Sequence, residues 1–260
     1  MPALRSVVHT RVMKVYLATV LSNTYLKDED FTEQPYALQT FYDMNDLAIS
    51  RMKYCKDVMI DSGAFSIRSK KAEDKDVYWE YLYRYADFIN KYDIKHFFEL
   101  DIDNLVGYDE VLRYRKKLEE LTNKQPIVVW HLNRGVDEFI KHCEEYDYVA
   151  LGGYAGMLSQ KAKNDYKRAY PWFIKTAHQH NAKIHGLGFT AFKDLPKCHF
   201  DSVDSTSGLS GARSGAVAVF DGKKMKMQAR PDGKRVISKR VVEHSFKEWL
   251  KFQKYAEVHL

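Results

Sequence analysis

Short apolar runs along this chain end abruptly in acidic residues, glycine or histidine, and amphipathic stretches separate them. Six of the runs read Val58-Met-Ile-Asp-Ser-Gly63, Phe97-Phe-Glu-Leu-Asp-Ile-Asp103, Ile127-Val-Val-Trp-His131, Tyr148-Val-Ala-Leu-Gly-Gly153, Lys183-Ile-His-Gly-Leu-Gly188 and Phe200-Asp-Ser-Val-Asp204; Val15–Val20 precedes them. Apolar runs of this length, bounded by turn residues, read as buried strands, and their alternation with helices predicts a mostly parallel sheet. Helices are expected over 35–52, 76–91, 109–122, 136–145 and 164–180, with aromatics near helical spacing in 76–91, i, i+4 charge partners in 109–122, and Pro171 marking a kink or a restart. Between the last two runs only about ten residues remain, enough for one or two helical turns. Beyond Asp204 the pattern changes: Ala216–Phe220, the Asp221-Gly222 turn and Lys223–Gln228 read as a β-hairpin, and a last helix is expected from about 244 to 256. Eight strand candidates in 260 residues predict an α/β fold, a single TIM-like (β/α)8 barrel with an irregular C-terminal part. Residues 1–13 are expected to be an N-terminal extension, and 14–260 the barrel domain.

Composition narrows the class. Hydrophobic residues make up 45% of the chain and aromatics 14%, which excludes disorder. No apolar run approaches the roughly 18 residues of a membrane helix, and the first residues lack the apolar core of a signal peptide. Three cysteines (Cys55, Cys143, Cys198) without Cys-x-x-Cys spacing fit a reduced, cytoplasmic protein with no structural zinc or disulfide. The net charge of +6 is unevenly spread. Residues 213–240 carry nine Lys/Arg against Asp221 and Asp232, so this segment alone holds +7 and the rest sums to about −1. A basic segment beside a pocket suggests a polyanion partner; a lysine-protected strand edge is the plainer reading.

In parallel α/β barrels, residues just past the strand ends converge on one rim, where the chemistry is done. Asp61, Asp101, Asp204 and several glycines are expected to share that rim. Asp61, Ser62 and Gly63 also form an ordinary turn or helix cap. Asp101 and Asp103 could bind a metal or accept the N–H donors of a purine, but no His with ligand spacing accompanies them. Gly152, Gly153, Gly186 and Gly188 permit close backbone approach. Asp201 and Asp204, paired with Asp61 across the pocket, make the two-carboxylate arrangement that displaces groups at a sugar anomeric carbon. Two nearby carboxylates raise one another's pKa, which favours one of them as a proton carrier.

The order of these motifs resembles the tRNA-guanine transglycosylase superfamily. Asp61-Ser-Gly-Ala-Phe65, Phe98-Glu-Leu-Asp101, Val129-Trp-His131, Ala150-Leu-Gly-Gly153, His185-Gly-Leu-Gly188, the Asp201/Asp204 pair and Ala212-Arg-Ser-Gly215 follow one another as that family's segments do. The family's zinc module, a Cys-x-Cys-x-x-Cys set after the Asp-Gly hairpin, has no counterpart, because no cysteine follows Cys198. That compact, zinc-free form is most similar to the phage-type DNA 7-deazaguanine transglycosylases.

The resemblance implies exchange of guanine in DNA for a 7-deazaguanine base through a covalent aspartyl-sugar intermediate. It implies Asp204 as nucleophile with Asp201 the competing alignment, Asp61 as general acid/base, and Phe65 stacked on the base. Asp101, Asp103, His131, His185, Gly186, Gly152, Gly153, Ser62 and Gly63 would contact the base. His131 and His185 replace a family glutamine and methionine. Arg213, Lys223, Lys224, Lys226, Arg230, Lys234 and Arg235 are the expected phosphate contacts. The implied partners are DNA, or tRNA in the alternative, and a free 7-deazaguanine; the reaction needs no cofactor and no metal. A phage origin would place it in the host-cell cytoplasm. Rival readings are a non-catalytic nucleic-acid-binding subunit and a barrel glycosidase acting on a soluble sugar.

Overall fold

A computed structural model of the chain describes residues 12–67, 76–152, 159–189, 195–205, 216–229 and 238–260. Eight parallel strands run β1 (Lys14–Ala18), β2 (Tyr36–Thr40), β3 (Asp57–Asp61), β4 (His96–Phe97), β5 (Val128–Trp130), β6 (Tyr148–Leu151), β7 (Lys183–Gly186) and β8 (Ser202–Ser205). Their order in the sheet is β4-β3-β2-β1-β8-β7-β6-β5. A parallel bridge from Phe98 to Ile127 joins the two edges, and Ile127 N–H donates to the Phe97 carbonyl at 2.7 Å. The sheet thereby curls into the expected TIM-like barrel.

Each strand sends alternate residues to opposite faces, which sorts the core into layers. Tyr16, Ala18, Tyr36, Leu38, Met59, Phe98, Val129 and Ala150 pack together as an all-strand cluster inside the barrel. Val15, Leu17, Ala37, Val128, Val149, Ile184 and Val203 face outward against the helices. The helices are α1 (Asp46–Met52), α2 (Ala64–Ile67), α3 (Asp76–Lys91), α4 (Asp103–Val106), α5 (Tyr108–Thr122), α6 (Gly135–Glu145), α7 (Gln160–Gln179) and α8 (Ser238–His259). A separate antiparallel hairpin, β9 (Val217–Phe220) and β10 (Met225–Gln228), packs on α8.

Two expectations fail here. The helix expected over 35–52 is a strand followed by short helices. Tyr36–Thr40 pairs with both β1 and β3, so tertiary ladders override a sequence with no clear strand period. With β2 counted, the hairpin falls outside the barrel. Of the kink or restart expected at Pro171, it is the restart that is absent, since α7 runs through it. Asn45 caps α1 by accepting from the Ala48 N–H at 2.9 Å, and Ser159 caps α7 by accepting from the Ala162 N–H at 3.1 Å, placing both starts where side-chain acceptors satisfy open amides.

At the N-terminal end of the barrel, Asp57 accepts from Lys14 Nζ at 3.0 Å and from the Tyr16 hydroxyl at 2.8 Å, and contacts His96 Nδ1 at 3.0 Å. Burial opposes its charge. His96 and Lys14 outweigh that and hold the carboxyl well below the usual range. This cluster lies at the end opposite the mouth. Among the described residues no helix is long and apolar enough to cross a membrane.

Candidate active site

Asp61 ends β3, Asp204 lies within the last turn of β8, and Asp101 and His131 follow β4 and β5. All four stand at the C-terminal rim. Ile60 packs outward with the helices, so the next residue, Asp61, points inward, and Val203 and Asp204 alternate in the same way.

Asp204 is buried and held by donors. Its Oδ1 accepts from the Gly188 N–H at 2.6 Å and faces His185 Nε2 at 3.2 Å. The other ring nitrogen of His185 meets Ser202 Oγ, which in turn meets the Tyr148 hydroxyl. One assignment satisfies every member of this chain: Tyr148 donates to Ser202, Ser202 donates to His185, and His185 donates to Asp204. The network thus aims two N–H groups at a single carboxylate oxygen.

Asp61 has the opposite setting. Burial is the main cause that pushes its pKa up to about 6, and the Asp204 charge adds to it. Backbone N–H groups of Gly63 and Ser62 pull the other way, while Asp101 raises it further. The two acids therefore share one space, in unequal environments. Gly63 makes this turn feasible. Its φ is +82°, and a Cβ there would lie 2.5 Å from Tyr42 Cβ. From α3, Tyr81 donates to the Ser62 carbonyl at 2.6 Å, and Tyr85 to the Ile60 and Phe98 carbonyls at 3.1 and 3.0 Å. These hydroxyls fix the ends of β3 and β4.

Across the rim, Asp101 contacts His131 Nε2 at 2.5 Å and accepts from Arg134 Nη2 at 2.7 Å. Burial opposes its ionisation, but His131 and Arg134 prevail and hold its pKa down. The same Arg134 nitrogen reaches Asp103 at 3.0 Å, and its guanidinium lies over the Tyr108 ring, 4.3 Å from the centroid. Asp101, Asp103 and His131 bring three donor atoms within 4.8 Å of one another. A metal held there would compete with Arg134, which already bridges both carboxylates as a fixed cation.

Several expected contacts land elsewhere. Asp201 accepts from the Ile184 N–H at 2.8 Å and contacts His178 Nε2 at 2.9 Å. It sits before β8 begins, at the N-terminal rim, so of this pair Asp204 is the one at the mouth. Gly186 faces outward, where a Cβ would touch Phe189, Phe200 and Val203 at 3.3 Å. Gly152 gives its N–H to the Trp130 carbonyl at 2.8 Å and its own carbonyl to the Tyr166 hydroxyl at 3.0 Å, so its backbone does not present itself to a base. Its role is room: a Cβ would lie 2.3 Å from His131 Nδ1. Gly152→Ala should therefore displace the imidazole from Asp101 and lower stability by about 1–3 kcal/mol, measured by denaturant unfolding. His185 orients Asp204. Asp101 lies past β4 and Asp103 opens α4.

The hairpin lysines also miss the mouth. The Ala218 N–H donates to Ser245 Oγ at 3.2 Å and the Phe220 N–H to Glu248 at 2.8 Å, and the Phe220 ring lies 5.8 and 5.5 Å from Phe252 and Tyr255. Beside them Gln253 donates to the Val15 and Tyr36 carbonyls, at the start of β1 and β2. The Asp221–Lys224 turn therefore points toward the N-terminal end, away from the rim that carries Asp204. Lys226 pairs with Asp221 at 2.7 Å. The Phe65 side chain, Gly153, Arg213, Arg230, Lys234 and Arg235 lie outside the described residues.

Sequence reading missed Arg134, Ser202 and Tyr148. Ser202 carried a usable signal, since two positions before Asp204 on a strand share its face. Arg134 carried none before the loop was folded.

No protein-family model and no curated protein matches the chain. Among solved structures it is similar to one described as a candidate fructose-1,6-biphosphate aldolase from Coccidioides immitis, at 11% identity and TM-score 0.53, covering 96% of this chain and 90% of that one. The carboxyl transferase domain of Rhizobium etli pyruvate carboxylase matches at 11% identity and TM-score 0.44, covering 96% of this chain and 49% of that one. At such identity the first of these likenesses shows the fold alone, a TIM-like barrel.

Proposed function

We propose that this chain is a pentosyltransferase that exchanges guanine in DNA for a 7-deazaguanine base. The observation that carries the reading is the unequal pair at the mouth, in which hydrogen-bond donors hold Asp204 while Asp61 has its pKa raised to about 6. Anomeric displacement needs that division of labour: one carboxylate to attack and one to move protons.

In the first half-reaction a carboxylate oxygen of Asp204 bonds to C1′ as the C1′–N9 bond breaks. Asp61 in its protonated form supplies the proton that the departing guanine takes up. The incoming 7-deazaguanine returns that proton from its N9–H to Asp61 as its nitrogen attacks C1′, and the Asp204–sugar ester breaks. Asp101 accepts hydrogen bonds from the N–H edge of the base, oriented by His131 and Arg134. The target nucleotide must leave the stack to reach the mouth, at about a few kcal/mol. DNA is favoured over tRNA because the sequence lacks the zinc module of the tRNA enzymes.

A denaturing gel of enzyme with guanine-containing DNA tests this. A covalent adduct should appear, and should dissolve when a 7-deazaguanine is added; matched tRNA should form none. No adduct with either nucleic acid removes the reading. Asp201→Ala should leave exchange intact while lowering the melting temperature, because its carboxylate braces β7 and α7 at the far rim.

A further inference from the structure

Two adjoining cavities of about 260 and 540 Å3 lie on the outer flank of the barrel, between α7 and the β7–β8 connection. Lys167, Arg168, Tyr170 and Phe189 line the first, and Lys175, His178 and His199 the second. Pro171 and Lys197 line both, so the two form one groove. Among the described residues, no Asp or Glu lines either cavity.

The direction of α7 gives the groove its orientation. Tyr166 holds the Gly152 carbonyl near the mouth, and twelve residues later His178 contacts Asp201 at the opposite rim. The upper end meets Phe189, next to Gly188, whose N–H holds Asp204. From Lys167 to Gln179 the helix rises about 18 Å at 1.5 Å per residue. Along its whole length α7 carries Lys161, Lys163, Lys167, Arg168 and Lys175 against the single carboxylate of Asp165. That acid pairs with Arg168 at 3.2 Å on an exposed surface, where solvent leaves such a pair weak. Five cations against one acid leave α7 strongly basic.

We propose that this groove is the docking track for the phosphodiester backbone of the nucleic-acid substrate, leading from the flank to the mouth. The choice of polyanion rests on the function proposed above, but the track does not depend on the chemistry at Asp204. Its ligands are ammonium and guanidinium groups and the His199 imidazole, since His178 is engaged by Asp201, while Tyr170 and Phe189 are buried and offer no face for stacking. The track therefore positions nucleic acid without reading its sequence. At about 3.4 Å per step of one strand, 18 Å spans roughly five steps.

The test is fluorescence anisotropy of the full chain with a labelled double-stranded DNA oligonucleotide over a range of salt. Replacing Lys167, Arg168, Lys175 and Lys197 together by Ala should weaken binding and reduce the slope of log K against log salt by about three to four. Lys223→Ala with Lys224→Ala should leave the slope unchanged. The single reversal Lys197→Glu, outside α7, should weaken binding in the same direction and covers the case in which the fourfold variant fails to fold. An unchanged slope in the groove variants, or the whole loss in the hairpin variant, overturns the track. Groove-dependent binding without any covalent adduct would keep the track and remove the chemistry. An adduct formed at unchanged affinity by the groove variants would do the reverse.

Discussion

Asp204→Asn should abolish guanine exchange, lowering the rate by at least about a thousandfold, while DNA affinity and the melting profile stay near those of the parent. The amide has the size and shape of the carboxylate, and its oxygen can still accept from the Gly188 and His185 N–H groups that now hold Asp204. What disappears is the nucleophilic oxygen that would bond to C1′. Single-turnover exchange of radiolabelled guanine into DNA reads the rate, and the denaturing gel should lose its adduct in parallel. Exchange that survives the substitution would remove Asp204 from the chemistry, and because Asp201 faces the opposite rim, it would leave no second carboxylate on β8 to take over.

Asp61→Asn should produce the second largest loss, about 10²- to 10⁴-fold, the range of a positioned acid/base. Its pH behaviour gives a sharper signature. Burial and the Asp204 charge raise its pKa to about 6, so the step in which Asp61 takes the N9 proton should slow as pH falls through 6. Stability carries the opposite sign. The native state keeps this proton at pH values where the unfolded chain, with an ordinary carboxyl, has lost it. Asp61 therefore makes folding less favourable as pH rises from about 4 to 6, and that cost persists above. The Asn variant should accordingly melt at a higher temperature than the parent at pH 8 and lose that advantage at pH 4. An activity loss without this crossover would indicate that Asp61 acts through packing rather than by carrying a proton.

The electrostatics on the other side of the mouth support the same division. Asp101 is kept ionised by His131 and Arg134 although burial opposes it, which suits an acceptor for base N–H groups. Glu99 and Arg115 form a further buried pair behind it at 2.8 Å, and Glu99 also accepts from the Val129 N–H at 2.6 Å. That pair ties α5 to β5 and so fixes the strand end that carries His131.

Much of the architecture was legible in the sequence because it depends on local periodicity. Runs such as Val58–Ile60 and Tyr148–Leu151 are too short and too apolar for anything but buried strands, and the helix over 76–91 follows from its spacing of aromatics. The acids at positions 61 and 204 were legible for the same reason: each closes an apolar run, and strand ends of a parallel barrel meet on one rim. The Tyr36–Thr40 strand was not, since its residues carry no alternation and only the flanking ladders of β1 and β3 decide it.

The sequence by itself thus determined the barrel, the rim and the two acids that share it, all consequences of a repeat readable in one dimension. Tertiary structure alone decided which charges do what. Asp201 stands three residues from Asp204 yet at the other end of the strand, Arg134 neutralises Asp101 and Asp103, and the hairpin lysines turn away while α7 presents its own along a groove. Such roles depend on distances between residues remote in the chain, and Coulomb and hydrogen-bond energies follow separation in space, not in sequence.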